Sequence, residues 1–268
     1  MKYDIYIVDA FTQAQFKGNS AAVVPVNLWP EDITMQQIAA ENNLSETAFI
    51  RAVDTASGHQ FEIRWFSPLT EIAFCGHATL AASFVIFNHL AAQGEITFLT
   101  REVGPLTVNQ LPDQRIEMSF PNQQPEPVAQ APAVLLEGLS EQPVEVLKNR
   151  QAYFAVFDQA ASVEQLTYHS ELLKHLAPLD VVATARSDNY DFISRYFWPA
   201  NGGDEDPVTG SIHAGLAPYW AELLGRDELV AYQASQRGGV LHCQVAGERV
   251  LVSGFGVLYL QGTIFVAD

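Results

Sequence analysis

Cysteine is almost missing from this sequence: Cys75 and Cys243 are the only two in 268 residues, which gives neither a disulfide framework nor a metal-binding series. Positive charge is scarce too. Against 31 Asp+Glu stand 14 Lys+Arg, a formal net charge of -17 that repels phosphate backbones and acidic membranes, so neither nucleic acid nor a membrane is expected as a partner. No apolar run approaches the roughly 20 residues that span a bilayer. The opening MKYDIYIVDAFT carries Asp4 and Asp9 where a signal peptide needs an unbroken apolar stretch, so a cytoplasmic location is expected. The seven His follow neither HExxH nor a paired-Cys pattern, so no metal site is expected. Gly254 to Gly256 lacks the third glycine of a dinucleotide fingerprint, and there is no GxxxxGK[ST] and no GxSxG nucleophile elbow.

What is there is an ordinary globular composition, 48% hydrophobic and 17% charged, in a length that suits one large or two medium domains. Alternating or β-branched stretches predict strands at Asp4 to Phe11, Ser20 to Val26, Glu46 to Val53, Gln60 to Phe66, Glu95 to Thr100, Leu106 to Leu111 and Arg115 to Phe120. Helices are predicted at Thr34 to Asn42 and at His77 to Ala92, the second apolar on nearly every face and so enclosed by other structure. Pro121 to Pro132 is rich in Pro and polar residues and reads as a linker between domains.

A repeat lies across that linker. FEIRWFSP (Phe61 to Pro68) precedes FCGHATLAASFVIF, and FISRYFWP (Phe192 to Pro199) precedes VTGSIHAGLAPYW. Arg64 and Arg195 are 131 positions apart, and Gly76 and Gly210 are 134 apart because the second loop is longer. An internal duplication accounts for the shared order and spacing. Duplicated halves are expected to share a cleft, with glycine-led helices at Gly76 and Gly210 turning free N–H groups toward one ligand. The domains expected are 1–120, joined by a strand in 257–268, and 121–256.

In EDPVTGSIHAG (Glu205 to Gly215), Asp206 and Thr209 suit a helix cap, while Gly210 and Ser211 beside an acid suit an anion site. Asp204 and Glu205 read as solvated loop charges, and Pro218 should bend or shorten the helix that follows.

The ordered set GNSAAVV (Gly18 to Val24), LSETAF (Leu44 to Phe49), FCGHATLAA (Phe74 to Ala82) and EDPVTGS (Glu205 to Ser211) resembles the phenazine-biosynthesis isomerase family, the PhzF-like proteins. The resemblance implies the α+β diaminopimelate-epimerase fold: two similar halves, each a curved, mostly antiparallel sheet around a central helix. It also implies a homodimer that isomerises a small carboxylate-bearing molecule by moving a proton, with no cofactor. By the same resemblance Glu46 is the general acid/base, His77 steadies charge, and Asp206 binds an amino or hydroxyl group. Asn19, Gly76, Gly210 and Ser211 would contact substrate. Burial beside an apolar cleft is expected to raise the pKa of Glu46. Ser20 stands where many relatives carry Pro, and Gln236 to Leu241 follows the family's segment loosely. Two alternatives remain at this point: a racemase or epimerase using Cys75 with a carboxylate, and a small-molecule or protein-binding member without turnover. Cys243, in an alternating stretch, is expected to pack.

Overall fold

The computed structural model describes residues 1–53, 59–90 and 92–267, and the chain divides into two compact units. Unit 1 comprises 1–119 and 253–268; unit 2 comprises 120–252.

Unit 1 is built on β1 (Lys2–Ala10), β2 (Asn19–Pro25), β3 (Glu46–Ala52), β4 (Gln60–Phe66), β5 (Glu71–Ile72), β6 (Glu95–Leu99), β7 (Leu106–Gln110) and β8 (Ile116–Pro121), which carries the chain over into unit 2. Neighbours pair antiparallel at β1–β2, β3–β4, β4–β5, β6–β7 and β7–β8, and parallel at β2–β3 and β4–β6. Helix α1 (Asp32–Asn42) links β2 to β3, and α2 (Gly76–His89) links β5 to β6.

Small residues such as Ala78, Ala81 and Ala82 let the sheet close around α2, and Leu80, Val85 and Ile86 fill the space beside them. Its two buried hydroxyls satisfy themselves within the helix: Thr79 Oγ1 donates to the Cys75 carbonyl at 2.6 Å and Ser83 Oγ to the Thr79 carbonyl at 2.8 Å. The helix ends at His89, earlier than expected; of the remainder, Ala91 lies outside the described residues. A second cluster, with Val24, Met35, Phe49 and Phe66, packs α1 onto the sheet. Each such side chain adds about 1.5 to 3 kcal/mol by leaving water.

Unit 2 contains β9 (Glu126–Pro127), α3 (Ala133–Gly138), β10 (Glu145–Lys148), β11 (Ala152–Phe157), α4 (Ala160–Gln165), α5 (Ser170–Leu173), β12 (Asp180–Arg186), β13 (Phe192–Phe197), β14 (Glu205–Asp206), α6 (His213–Leu224), β15 (Glu228–Gln233), β16 (Gly239–Ala246) and β17 (Arg249–Gly254), which leads back to unit 1. The last strand, β18 (Gly256–Phe265), pairs antiparallel with β1.

The pairing scheme of unit 1 recurs in unit 2. β10–β11 and β12–β13 are antiparallel, β11–β12 and β13–β15 parallel, and β15–β16 antiparallel, with α6 placed between β14 and β15 as α2 is between β5 and β6. The repeated arginines do the same work in both. Arg64 donates to both carboxylate oxygens of Glu71 at 2.7 Å, and Arg195 donates to those of Glu205 at 2.7 and 2.8 Å. Each guanidinium also lies 5.1 Å from the ring two residues on, Phe66 or Phe197.

Three expectations are corrected here. Glu205 is not a solvated loop charge but the ion-pair partner of Arg195, whereas Asp204 is exposed in the loop as expected, its carboxylate accepting from Ser170. Pro121 to Pro132 is tied down: β9 pairs with β10, and the Gln123 amide donates to the Ala214 carbonyl at 3.0 Å. The second helix starts at His213, not at Gly210, because turns closed from the Gly210 and Ser211 carbonyls to the amides of His213 and Ala214 come first. That helix continues through Pro218 to Leu224.

His213 is wholly buried against Phe192, with Nδ1 2.9 Å from the Thr209 carbonyl and Nε2 without a hydrogen bond. Burial drives its pKa down to about 4, so the folded chain keeps the ring neutral. Since the folded-state pKa lies below the unfolded one, stability falls as pH drops from the ordinary histidine value toward 4. The expected loss from this group between pH 6.5 and 5 is about 2 kcal/mol. Urea unfolding of wild type and His213→Asn at both pH values checks it: the difference between the two proteins should narrow at pH 5, and a constant gap would remove His213 as the cause.

Candidate active site

Glu46 is the first residue of β3, buried to 9% exposure, and its register neighbour across the parallel pair is Ala21 of β2. Asn19 opens β2, held there by Gly18. Gly18 has φ +64°, and a Cβ on it would lie 2.1 Å from the Ala10 carbonyl oxygen, so the glycine of GNS is a steric requirement. Ser20 donates its hydroxyl to the buried Asp9 carboxylate, which also accepts from the Phe16 amide at 2.9 Å. Cys75 precedes α2, and His77 lies in its first turn. Strand starts and a helix start thus bring four side chains of unit 1 together.

His77 is the hub. Its Nε2 lies 2.8 Å from Glu46 Oε2, its Nδ1 3.0 Å from the Asn19 amide, and Cys75 Sγ 3.5 Å from Nδ1 and 3.9 Å from Nε2. The Glu46 oxygen sits off the line of the N–H, so the contact is an ion pair and Oε2 has no in-line donor.

The pKa expected for Glu46 is corrected in sign. Burial does push it upward, but attraction to His77, with the nearby polar hydrogens of His77 and Cys75, outweighs burial and holds it below the ordinary carboxylate value. Burial raises the Cys75 thiol to about 11, helped by the Glu46 charge, so at neutral pH it is S–H. For His77, burial opposes the charge, while the adjoining sulfur and the Glu46 carboxylate raise its pKa well above 6.5. With Cys75 a neutral thiol, the carboxylate is the charge that matters, and the pair is carboxylate with imidazolium. Nδ1 is then a donor, and the Asn19 amide, whose nitrogen faces it at 3.0 Å, must turn over to present its oxygen.

In unit 2, Asp206 ends β14, with Oδ2 accepting from the Thr209 hydroxyl at 2.5 Å; Gln233 Nε2 donates to the Asp206 carbonyl at 2.8 Å. Ser211 Oγ accepts from Gln151 Nε2 at 3.0 Å. Gly76 and Gly210 each follow the arginine's glutamate by five residues, so the longer loop lies wholly before Glu205. Neither reading of the sequence singled out Gln151, Tyr196 or Asp180. The registers of β3 with β4 and of β12 with β13 put Asp180 at the position in unit 2 that Glu46 holds in unit 1. There the Tyr196 hydroxyl donates to Asp180 at 2.6 Å, and Gln151 donates to the Tyr196 oxygen at 3.1 Å. Burial raises the pKa of Asp180, against the Tyr196 and Asn201 hydrogen bonds. Counting back from the aligned arginines misses this acid, because Glu46 precedes Arg64 by 18 residues and Asp180 precedes Arg195 by 15; the strand registers are needed to find it.

Cys243 is buried in β16, where burial alone raises its thiol to about 12, as fits a packing residue. No helix among the described residues is long and apolar enough to cross a membrane.

Comparison with known proteins places these features in company. The family described as phenazine biosynthesis-like protein, PhzC-PhzF, matches residues 8–262. A protein of Pseudomonas aeruginosa named an uncharacterized isomerase is 45% identical over 98% of this chain and 99% of its own length. A PhzF-family crystal structure from Enterococcus faecalis has 39% identity and a TM-score of 0.94, covering 99% of this chain and 100% of that one. A hydroxyproline epimerase from Agrobacterium vitis, at 10% identity and TM-score 0.60 over 100% of this chain and 93% of its own, has the same fold.

Proposed function

Because the chain belongs to the phenazine biosynthesis-like PhzC-PhzF family of isomerases, we propose that it moves a proton between carbons of a small amino- or hydroxy-acid-like substrate, without a cofactor and with Glu46 as the acid/base. The observation that carries this reading is the state of Glu46: an ionised carboxylate, nearly buried, with one oxygen that no in-line donor occupies. Such an oxygen can accept a proton from carbon and return it. His77, cationic beside it, steadies the negative charge that develops on the substrate as the proton leaves. Asp206, Gly210 and Ser211 are assigned to the substrate's polar groups on the strength of the EDPVTGS motif, and Asn19 and Gly76 on that of their own motifs. The same family resemblance supports a homodimer, which sedimentation would test.

A thiol base is the weaker reading. Cys75 is held as S–H far above neutral pH, and its register partner in the repeat is Thr209, not a second cysteine.

The test is incubation with a panel of small amino and hydroxy acids in heavy water. One member should isomerise, and its product should carry less than full deuterium at the new C–H bond, because a buried carboxyl hands on its proton before solvent replaces it. A panel member that binds and neither isomerises nor exchanges a proton would favour the binding-protein alternative.

A further inference from the structure

Glu46, Cys75 and His77 each offer a metal-binding atom, and these atoms lie within 4.8 Å of one another in buried surroundings. Their chemistry, thiolate, imidazole and carboxylate, is that of a zinc-type site with three protein ligands and one open position. We propose that this cluster is a binding site for a thiophilic divalent cation such as zinc or cobalt(II), with Cys75 Sγ, His77 Nε2 and Glu46 Oε2 as ligands.

The geometry supports Nε2 as the nitrogen ligand. It is the ring atom that faces the carboxylate, at 2.8 Å, with Sγ 3.9 Å away. A tetrahedral ion with zinc-like bonds sets its donors about 3.3 to 3.6 Å apart, so the side chains need to shift by about half to one ångström. The other ring nitrogen, Nδ1, lies 3.0 Å from the Asn19 amide nitrogen, and turning that amide over gives it the oxygen acceptor that a metal-bound histidine requires. Charge balances as well: a thiolate and a carboxylate neutralise the dication, which suits a buried site. On binding, the Cys75 S–H and His77 Nε2–H bonds break, two protons go to solvent, and no electron changes hands. Affinity therefore rises with pH. Where Glu46 is the base, as read above, the ion takes the lone pair that proton transfer needs, and such cations inhibit turnover; binding itself does not depend on that reading.

Sequence spacing hides this site. Cys75 and His77 are two residues apart and Glu46 is on another strand, so no metal motif appears.

The experiment is titration of the full chain with cobalt(II), reading the thiolate-to-cobalt charge-transfer band in the near ultraviolet. A single ion per chain should bind, with protons released to the buffer. The band should vanish in Cys75→Ser and persist in Cys243→Ser. Asn19→Ala, which removes the support of His77 and no ligand, should weaken binding about tenfold. Absence of the band in wild type, its survival in Cys75→Ser or its loss in Cys243→Ser overturns the proposal. Should Cys75→Ser lose the native circular dichroism, undiminished binding by Asn19→Ala overturns it instead.

Discussion

Replacing Glu46 by Gln is expected to lower turnover by about 10² to 10⁴ on whichever acid isomerises, while leaving its affinity nearly unchanged. Gln keeps the shape of the side chain and can still contact His77, but it cannot take up a proton from carbon. The loss therefore falls on a step made only in the transition state. Single-turnover rates and equilibrium binding, measured on the same preparation, separate the two effects. Wild-type turnover in Glu46→Gln would dismiss Glu46 as the base. The pH profile has a sign fixed by the same pair. Glu46 must be ionised and its pKa is depressed, so the acid limb should lie below the ordinary carboxylate range. His77 must be charged and its pKa is raised, so the alkaline limb should lie well above 6.5.

Stability should respond most to the repeated arginines. Arg64 is 3% exposed; it holds Glu71 with two hydrogen bonds and Asp32 with a third at 2.8 Å. Arg64→Met keeps most of the packing and strips those acids of their cation. The partners are less deeply buried than the arginine, Asp32 being 70% exposed, so the expected cost is about 3 kcal/mol, the lower end for a broken buried pair. Arg195→Met should cost at least as much, because Arg195 also donates to the Leu166 carbonyl at 2.6 Å. Urea denaturation midpoints at constant slope check both. A cost under about 1 kcal/mol would rank the pairs with surface salt bridges.

Those arginines also show what a reader of the sequence can reach. The spacing of Phe61, Arg64 and Phe66 and of Phe192, Arg195 and Phe197 disclosed the duplication, since a strand that must carry a stacked, paired guanidinium tolerates few other residues. The enclosed helix was legible from its uniform apolar faces. Glu205 is not legible as an ion-pair partner because Arg195 lies in an adjoining strand, ten residues earlier, and a carboxylate in an acidic run looks solvated until that strand is placed. The helix start at His213 is hidden for a related reason: Thr209 to Ile212 carry capping residue types but close isolated turns first. The four side chains around His77 were nameable one at a time from their motifs. Their mutual distances depend on the register of β2 with β3 and on the approach of α2, which no local pattern encodes, and so the direction of the Glu46 shift was out of reach.

Order of synthesis and order of completion differ in this chain. β18 leaves the ribosome only after all of unit 2, yet it is the strand that pairs along β1 from Lys2 to Ala10. A nascent chain can finish unit 2, whose residues are contiguous, while β1, made before it, still has one open edge. Open edges recruit other strands. The half that carries Glu46 and His77 is thus begun first and closed last, and its exposure to mispairing lasts as long as the ribosome takes to make the insert between them.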